Sequence, residues 1–207
     1  MVAAPNRDRQ AERREATRRE ILDAAWEVAH QEGLIGLTLR AVAARVGMQP
    51  PSLYSHYASK NAIYDAMFEQ AWRELYERSL ELKASLPADP RACLLAIATT
   101  YFDFATADLE RHQIMDVPML PDFRPSETAY QPALDCYALL RSALYEIGVR
   151  RDADLDMYTA ITGGLVNQQL ANDPGGTRWR ALLPRAITML ADDLGLPEQA
   201  PTSRSTS

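Results

Sequence analysis

The stretch GMQPPSLYSHYASK, Gly47–Lys60, sets two adjacent prolines between a glycine and a short Tyr/His-rich piece, in a chain that otherwise reads as helices. Proline has no N–H to donate and fixes φ, so it is cheap at the first helical position and costly further in. Pro51 therefore opens a short helix running to about Tyr57, and Gly47 permits the tight turn ahead of it. On such a helix Leu53 and Tyr57 share one face while Ser52 and His56 share another. The first pair packs inward and the second points out.

Immediately upstream, TLRAVAARVG gives a second helix, with Thr38 as its cap, Leu39, Val42, Ala43 and Val46 on one face and Gly47 as its stop. Two helices joined by a tight glycine-containing turn form a helix-turn-helix, whose second helix presents its N-terminal residues to base edges in a major groove. A plain two-helix hairpin satisfies the same spacing. Further upstream, TRRE at Thr17–Glu20 is a capping-box pattern, followed by Ile21, Leu22, Ala25, Val28 and Ala29 at helical spacing and a stop at Gly33. Six arginines lie from Arg7 to Arg19, and residues 1–16 read as a flexible basic arm.

Downstream, Ser59 caps a helix from about Lys60 to Lys83 whose inward stripe is Ile63, Met67, Ala71, Leu75 and Leu82. PADP, 87–90, breaks it, Asp89 caps the next helix and Pro90 opens it. A proline-studded connector with Pro118, Pro121, Pro125 and Pro132 follows, and its 116–132 stretch is either a lid or a surface linker. Helices over about 130–147, 153–172 and 178–194 complete an all-α chain, and the Pro/Ser/Thr-rich tail over 196–207 is expected to be disordered.

Composition bounds the function. With 207 residues and 47% hydrophobic content the chain can build a substantial core. No signal-like apolar segment or run of about 18 apolar residues occurs, so a cytoplasmic, non-membrane protein is expected. Cys93 and Cys136 lie in apolar helical patterns and read as buried, reduced thiols. The net charge is −6, unevenly spread: residues 1–60 hold nine Lys/Arg against seven Asp/Glu, whereas residues 61–207 hold thirteen against twenty-one. This fits a small nucleic-acid-facing head on an acidic body.

Read as one block, TRREILDAAWEVAHQEGLIGLTLRAVAARVGMQPPSLYSHYASKNAIYDAM, Thr17–Met67, closely resembles the DNA-binding domain of the tetracycline-repressor-like (TetR) family. The resemblance implies a three-helix DNA-binding head over 17–62 and a helical effector-binding and dimerisation domain over 63–195, joined by the fourth helix. It implies a homodimer on a palindromic DNA operator and a ligand-responsive regulator, most often a repressor. No cofactor or metal is implied.

Within that block Arg40 can reach a guanine edge bidentately, Gln49 can read adenine, and the rings of Pro50 and Pro51, beside Ser52, can meet a thymine methyl. Proline at position 50 departs from the polar or cationic residue frequent in the family. By resemblance, Thr38 offers its hydroxyl to a phosphate, and Tyr54, His56 and Lys60 act as phosphate clamps that fix register. Tyr57 belongs to the core. For an effector pocket the candidates are Trp72, Tyr76, Tyr101, Phe102, Met115, Met119, Phe123 and Tyr137, with Asn167 and Gln168 as polar anchors. The last two helices hold the position of a dimer interface, where Gly163-Gly164 permits close approach.

The competing class is an enzyme or carrier on a helical bundle. The sequence has no HExxH, GxSxG, P-loop or GxGxxG pattern and no Glu-x-x-His motif, and its three histidines, His30, His56 and His112, lie far apart. A non-enzymatic DNA-binding protein is the expectation.

Overall fold

The computed structural model describes residues 5–116, 120 and 122–197. Among them are nine α-helices: α1 (Pro5–Gly36), α2 (Leu39–Arg45), α3 (Pro50–Tyr54), α4 (Lys60–Lys83), α5 (Pro90–Thr106), α6 (Leu109–Asp116), α7 (Glu127–Glu146), α8 (Asp152–Asn172) and α9 (Leu183–Asp193). A 3-10 turn over Arg180–Leu182 leads into α9, and no strand occurs among the described residues. The all-α expectation holds. No single described helix is long and apolar enough to cross a membrane.

Helix α1 starts at Pro5, well before the Thr17 cap read from the sequence. The residues ahead of Thr17 are mostly Arg, Gln, Glu and Ala, all strong helix formers, and a proline suits the first position. Thr17 consequently sits inside the helix, its hydroxyl donating to the Arg13 carbonyl at 3.0 Å. Gly33 breaks the helix as expected, with φ 73° and ψ 163°, before one further turn reaches Gly36.

The cap at Thr38 is present: its Oγ1 accepts from the Ala41 N–H at 3.1 Å. At the far end of α2, Gly47 adopts φ 69°, letting the Met48 N–H reach the Ala43 carbonyl (2.8 Å) and the Gly47 N–H reach that of Ala44 (3.2 Å). This paired arrangement satisfies carbonyls the helix would otherwise leave open. Helix α3 begins one residue earlier than expected, at Pro50, because the first two helical N–H groups have no intrahelical acceptor and a proline at either place sacrifices nothing. It also ends sooner, at Tyr54.

Ser59 and Asp89 cap α4 and α5 as read, accepting from Ala62 N–H (3.1 Å) and Ala92 N–H (2.8 Å). Downstream, an unforeseen helix, α6, ends where the proline-studded connector begins, and α7 starts at Glu127, ahead of the expected start near 130, with Pro132 inside it. Ser126 explains the early start of α7, since its hydroxyl accepts from the Ala129 N–H at 3.2 Å. Residues 117–119 and 121 of the connector and 198–207 of the expected disordered tail lie outside the described residues. Leu196, placed in that tail, is instead buried, with its carbonyl taking the Arg91 Nε–H at 2.9 Å.

Two compact units result. The first joins the residues up to Trp72 with Glu110–Pro132, and the second joins Arg73–Leu109 with the residues from Ala133 onward. The core of the first is built from Ile21, Ala25, Val28, Leu37, Val42, Leu53, Ile63 and Met67. In the second, α5 packs on α8 and α9 around Leu94, Ala98, Phe102, Tyr158, Val166, Leu183 and Ile187. Both cysteines are buried and unbridged.

Burial pushes the phenols of Tyr57 and Tyr158 above their ordinary range near 10, although Arg18 beside Tyr57 pulls the other way. The folded chain therefore holds these protons where the unfolded chain releases them. Stability from this source is complete below about pH 10 and falls as pH rises past it; urea titrations at rising alkaline pH should show the fall, shallower in Tyr57→Phe. Gly47→Ala should cost about 1–2 kcal/mol in the same assay, because a Cβ at that φ is strained even with open space around it.

Candidate nucleic-acid interface

The helix-turn-helix is held to α1 from both ends. Leu53, the inward residue of α3, is fully buried, and Val42 and Ala43 do the same for α2. Arg45 at the end of α2 pairs with Glu27 at 2.8 Å and donates to Gln31 on α1. The Trp26 indole N–H reaches Gln70 on α4 at 3.0 Å. These bonds leave the starts of α2 and α3 with their outward residues exposed.

At the start of α2, Thr38 and Arg40 are both exposed. At the start of α3, Gln49 is exposed and makes no capping bond with its side chain, Pro50 is half-buried, and Pro51 and Ser52 are exposed. Tyr54 is 53% exposed although Leu53 beside it is fully buried, because adjacent helical residues face different sides. Its ring and hydroxyl are free to meet a partner. His56 is half-buried. The Lys60 ammonium donates to the Ile35 carbonyl at 3.1 Å and lies 5.1 Å from the Tyr64 ring centre. Tyr57 is core, as expected.

Two arginines that sequence reasoning treated as an undifferentiated basic run have specific partners. Arg14 Nη2 donates to the Ser55 carbonyl at 3.0 Å, and Arg18 Nη1 donates to the His56 carbonyl. The Arg18 guanidinium also covers the Tyr57 ring at 4.3 Å, and the Tyr57 hydroxyl donates back to the Arg18 carbonyl at 3.2 Å. Their spacing of four along a helix was the one available signal.

Residues 21–67 match the sequence profile of the bacterial regulatory proteins of the tetR family. Over these residues the chain carries the DNA-binding-domain pattern of the tetR family. It is 33% identical over 89 residues to the uncharacterised HTH-type transcriptional regulator YobS of Bacillus subtilis, covering 43% of this chain and 46% of that one. The chain spans about half the length of the curated relatives it matches. In fold, the putative regulatory protein SCO4313 superposes with a TM-score of 0.73 over 88% of this chain and 98% of that one, at 21% identity. The transcriptional regulator FadR of Bacillus subtilis, solved in complex with stearoyl-CoA, gives a TM-score of 0.67 over 83% and 96%, at 17% identity.

The expected TetR-family effector residues do not come together in one unit. Trp72, Met115 and Phe123 lie in the first, whereas Tyr76, Tyr101, Phe102 and Tyr137 lie in the second; Met119 falls outside the described residues. Phe102 is core, and Tyr101 packs partly buried against that core. Tyr137 is 43% exposed. Asn167 and Gln168 are also exposed, so the expected polar anchors face solvent. The buried amide of this stretch is Gln169, in phase with Thr162 and Val166, and its oxygen accepts the N–H groups of Trp179 (3.0 Å) and Arg180 (3.2 Å). A stripe at i, i+4 and i+7 would have identified it.

In the first unit, α4 carries an aromatic row. Tyr64 meets Phe123 at 5.5 Å, and Phe68 meets Trp72 at 6.3 Å and stacks on Tyr130 at 5.7 Å. The same segment is tied to α4 by Ser126, whose N–H and hydroxyl donate to the two Asp65 oxygens at 2.7 and 2.6 Å. The described part of the connector is thus strapped onto α4.

Leu53 and Tyr54 make a direct contrast between anchor and contact surface. Leu53→Ala should cost about 3 kcal/mol of unfolding free energy in urea, and Tyr54→Ala less than about 0.5.

Proposed function

We propose that the protein is a sequence-specific DNA-binding transcriptional regulator, acting in the cytoplasm as a homodimer on a palindromic operator and releasing it when a small molecule binds. The observation that carries this reading is the exposed set Thr38, Arg40, Gln49, Pro51, Ser52 and Tyr54 on two short helices anchored by Leu53, Val42 and Ala43. Arg40 and Gln49 supply bidentate donors and acceptors of the kind that discriminate base pairs, and the proline rings supply apolar contact for a thymine methyl. Thr38, Tyr54, His56 and Lys60 are assigned to phosphates, with Lys60 exchanging its Ile35 carbonyl for the backbone on docking.

Dimerisation is assigned to α8 and α9. Met157 and Met189 are 52% and 62% exposed there, and a Cβ added at Gly163 or Gly164 would meet nothing within 4 Å. Among the described residues nothing uses the closeness these glycines permit, and a second copy of α8 would. Two-fold symmetry would then set the recognition helices about 34–36 Å apart, one turn of duplex. Release by a small molecule is supported by the fold shared with a regulator solved in complex with stearoyl-CoA; the ligand would act by favouring a conformer whose heads no longer match that spacing. Repression, rather than activation, follows the habit of the family.

Selection from a random duplex pool followed by fluorescence titration tests the reading. A palindromic consensus should emerge, binding should weaken steeply with salt, and Arg40→Ala or Gln49→Ala should each cost about 1–3 kcal/mol while relaxing preference at one position. Sedimentation equilibrium should give a dimer that Met157→Asp with Met189→Asp converts to monomer. Enrichment of no sequence would overturn the DNA reading.

A further inference from the structure

Helix α3 has five residues, too few for its own hydrogen bonds to fix its direction. Its start is shaped by prolines and its middle by Leu53. Its exit is where α1 intervenes. Arg14 and Arg18 stand one turn apart on α1, and they donate to the consecutive carbonyls of Ser55 and His56. Arg18 is further locked by Tyr57, through its ring at 4.3 Å and its hydroxyl bond back to the Arg18 carbonyl. Cations at a helix C-terminus satisfy open carbonyls and complement the negative end of the helix dipole.

We infer that Arg14 and Arg18 are positioning residues for the DNA-reading tip: they clamp the exit of α3 from α1 and so set the angle at which Gln49–Ser52 meets base edges, without themselves neutralising phosphate. This inference rests on the DNA-binding reading above and deepens it. The Arg18 guanidinium is committed to a carbonyl and a ring inside the head, while Arg13 and Arg19 are exposed on the same helix, Arg19 only 3.7 Å from Glu15. An arginine so committed acts on DNA through the geometry of the helix it holds. A basic arm that grips the backbone acts through counterion release, and the two differ in their dependence on salt.

The test compares Arg18→Ala, Arg14→Ala and the control Arg13→Ala in the full-length chain. Two measurements are made: amide hydrogen exchange of residues 53–57 in the free protein, and affinity across a salt series for the duplex selected by the parent. Arg18→Ala should speed exchange at 53–57 about tenfold and weaken binding about tenfold. The slope of log affinity against log salt should stay at the parent value. Arg14→Ala, whose partner carbonyl is more exposed, should follow in the same direction by about threefold, and Arg13→Ala should leave exchange at 53–57 at the parent rate.

A slope reduced by about one unit in Arg18→Ala, with exchange unchanged, would identify a phosphate contact and overturn the positioning role. Unchanged exchange and unchanged affinity would overturn it as well. Thermal unfolding of each variant separates a loosened α3 exit from a head that no longer folds, and Tyr57→Phe, which keeps the ring beneath Arg18, should retain most of the protection if the clamp operates. If the parent selects no duplex, the DNA reading fails on its own account, and the exchange comparison still decides whether the clamp exists.

Discussion

A helix of five residues cannot persist by its own hydrogen bonds, and α3 is such a helix. Everything the head presents outward depends on how this short piece is held. The fully buried Leu53 fixes its depth, the left-handed Gly47 fixes its approach, and Arg14 with Arg18 fixes its exit. Hydrophobic burial contributes the largest share, because one buried leucine is worth more than any single exposed hydrogen bond. The polar contacts supply what burial lacks, which is direction.

The same division of labour recurs in the rest of the chain. The second unit is held by apolar packing of α5 on α8 and α9, and its loops are set by single polar side chains. Gln169 holds the entry to the 3-10 turn, Arg91 ties Leu196, beyond the end of α9, back to α5, and Arg180 pairs with Asp103 at 2.6 Å. In the first unit, Asp65 does this for Ser126. An exposed ion pair such as Arg180–Asp103 contributes little stability singly, and the hydrogen bonds beside it contribute only modestly each, so their shared effect lies in restricting which loop conformer accompanies a given helix packing.

Much of the fold was legible because helix ends are written locally. Thr38, Ser59, Asp89 and Gly47 satisfy or terminate backbone groups within four residues of themselves, and each did so where the sequence indicated. Thr17 misled for a related reason: a capping pattern also occurs inside a helix when strong helix formers precede it. The start of α7 is set by Ser126, ahead of the stretch where helical spacing becomes evident. The polar tip was legible from proline placement and the alternation of Leu53 with its neighbours. The arginine clamp was not, since Arg18 and His56 are 38 residues apart and nothing local pairs them. Asn167 and Gln168 are exposed, and the neighbouring Gln169 is the amide that turns inward.

The paired prolines bear on thermodynamics as well as shape. With φ already set at two consecutive positions where the tip begins, few backbone conformers remain to be surrendered when a surface closes over it. Contact of this kind resembles the docking of a finished part. Its heat-capacity change should therefore scale with the covered area alone, and stay well short of the change seen when a segment folds as it binds.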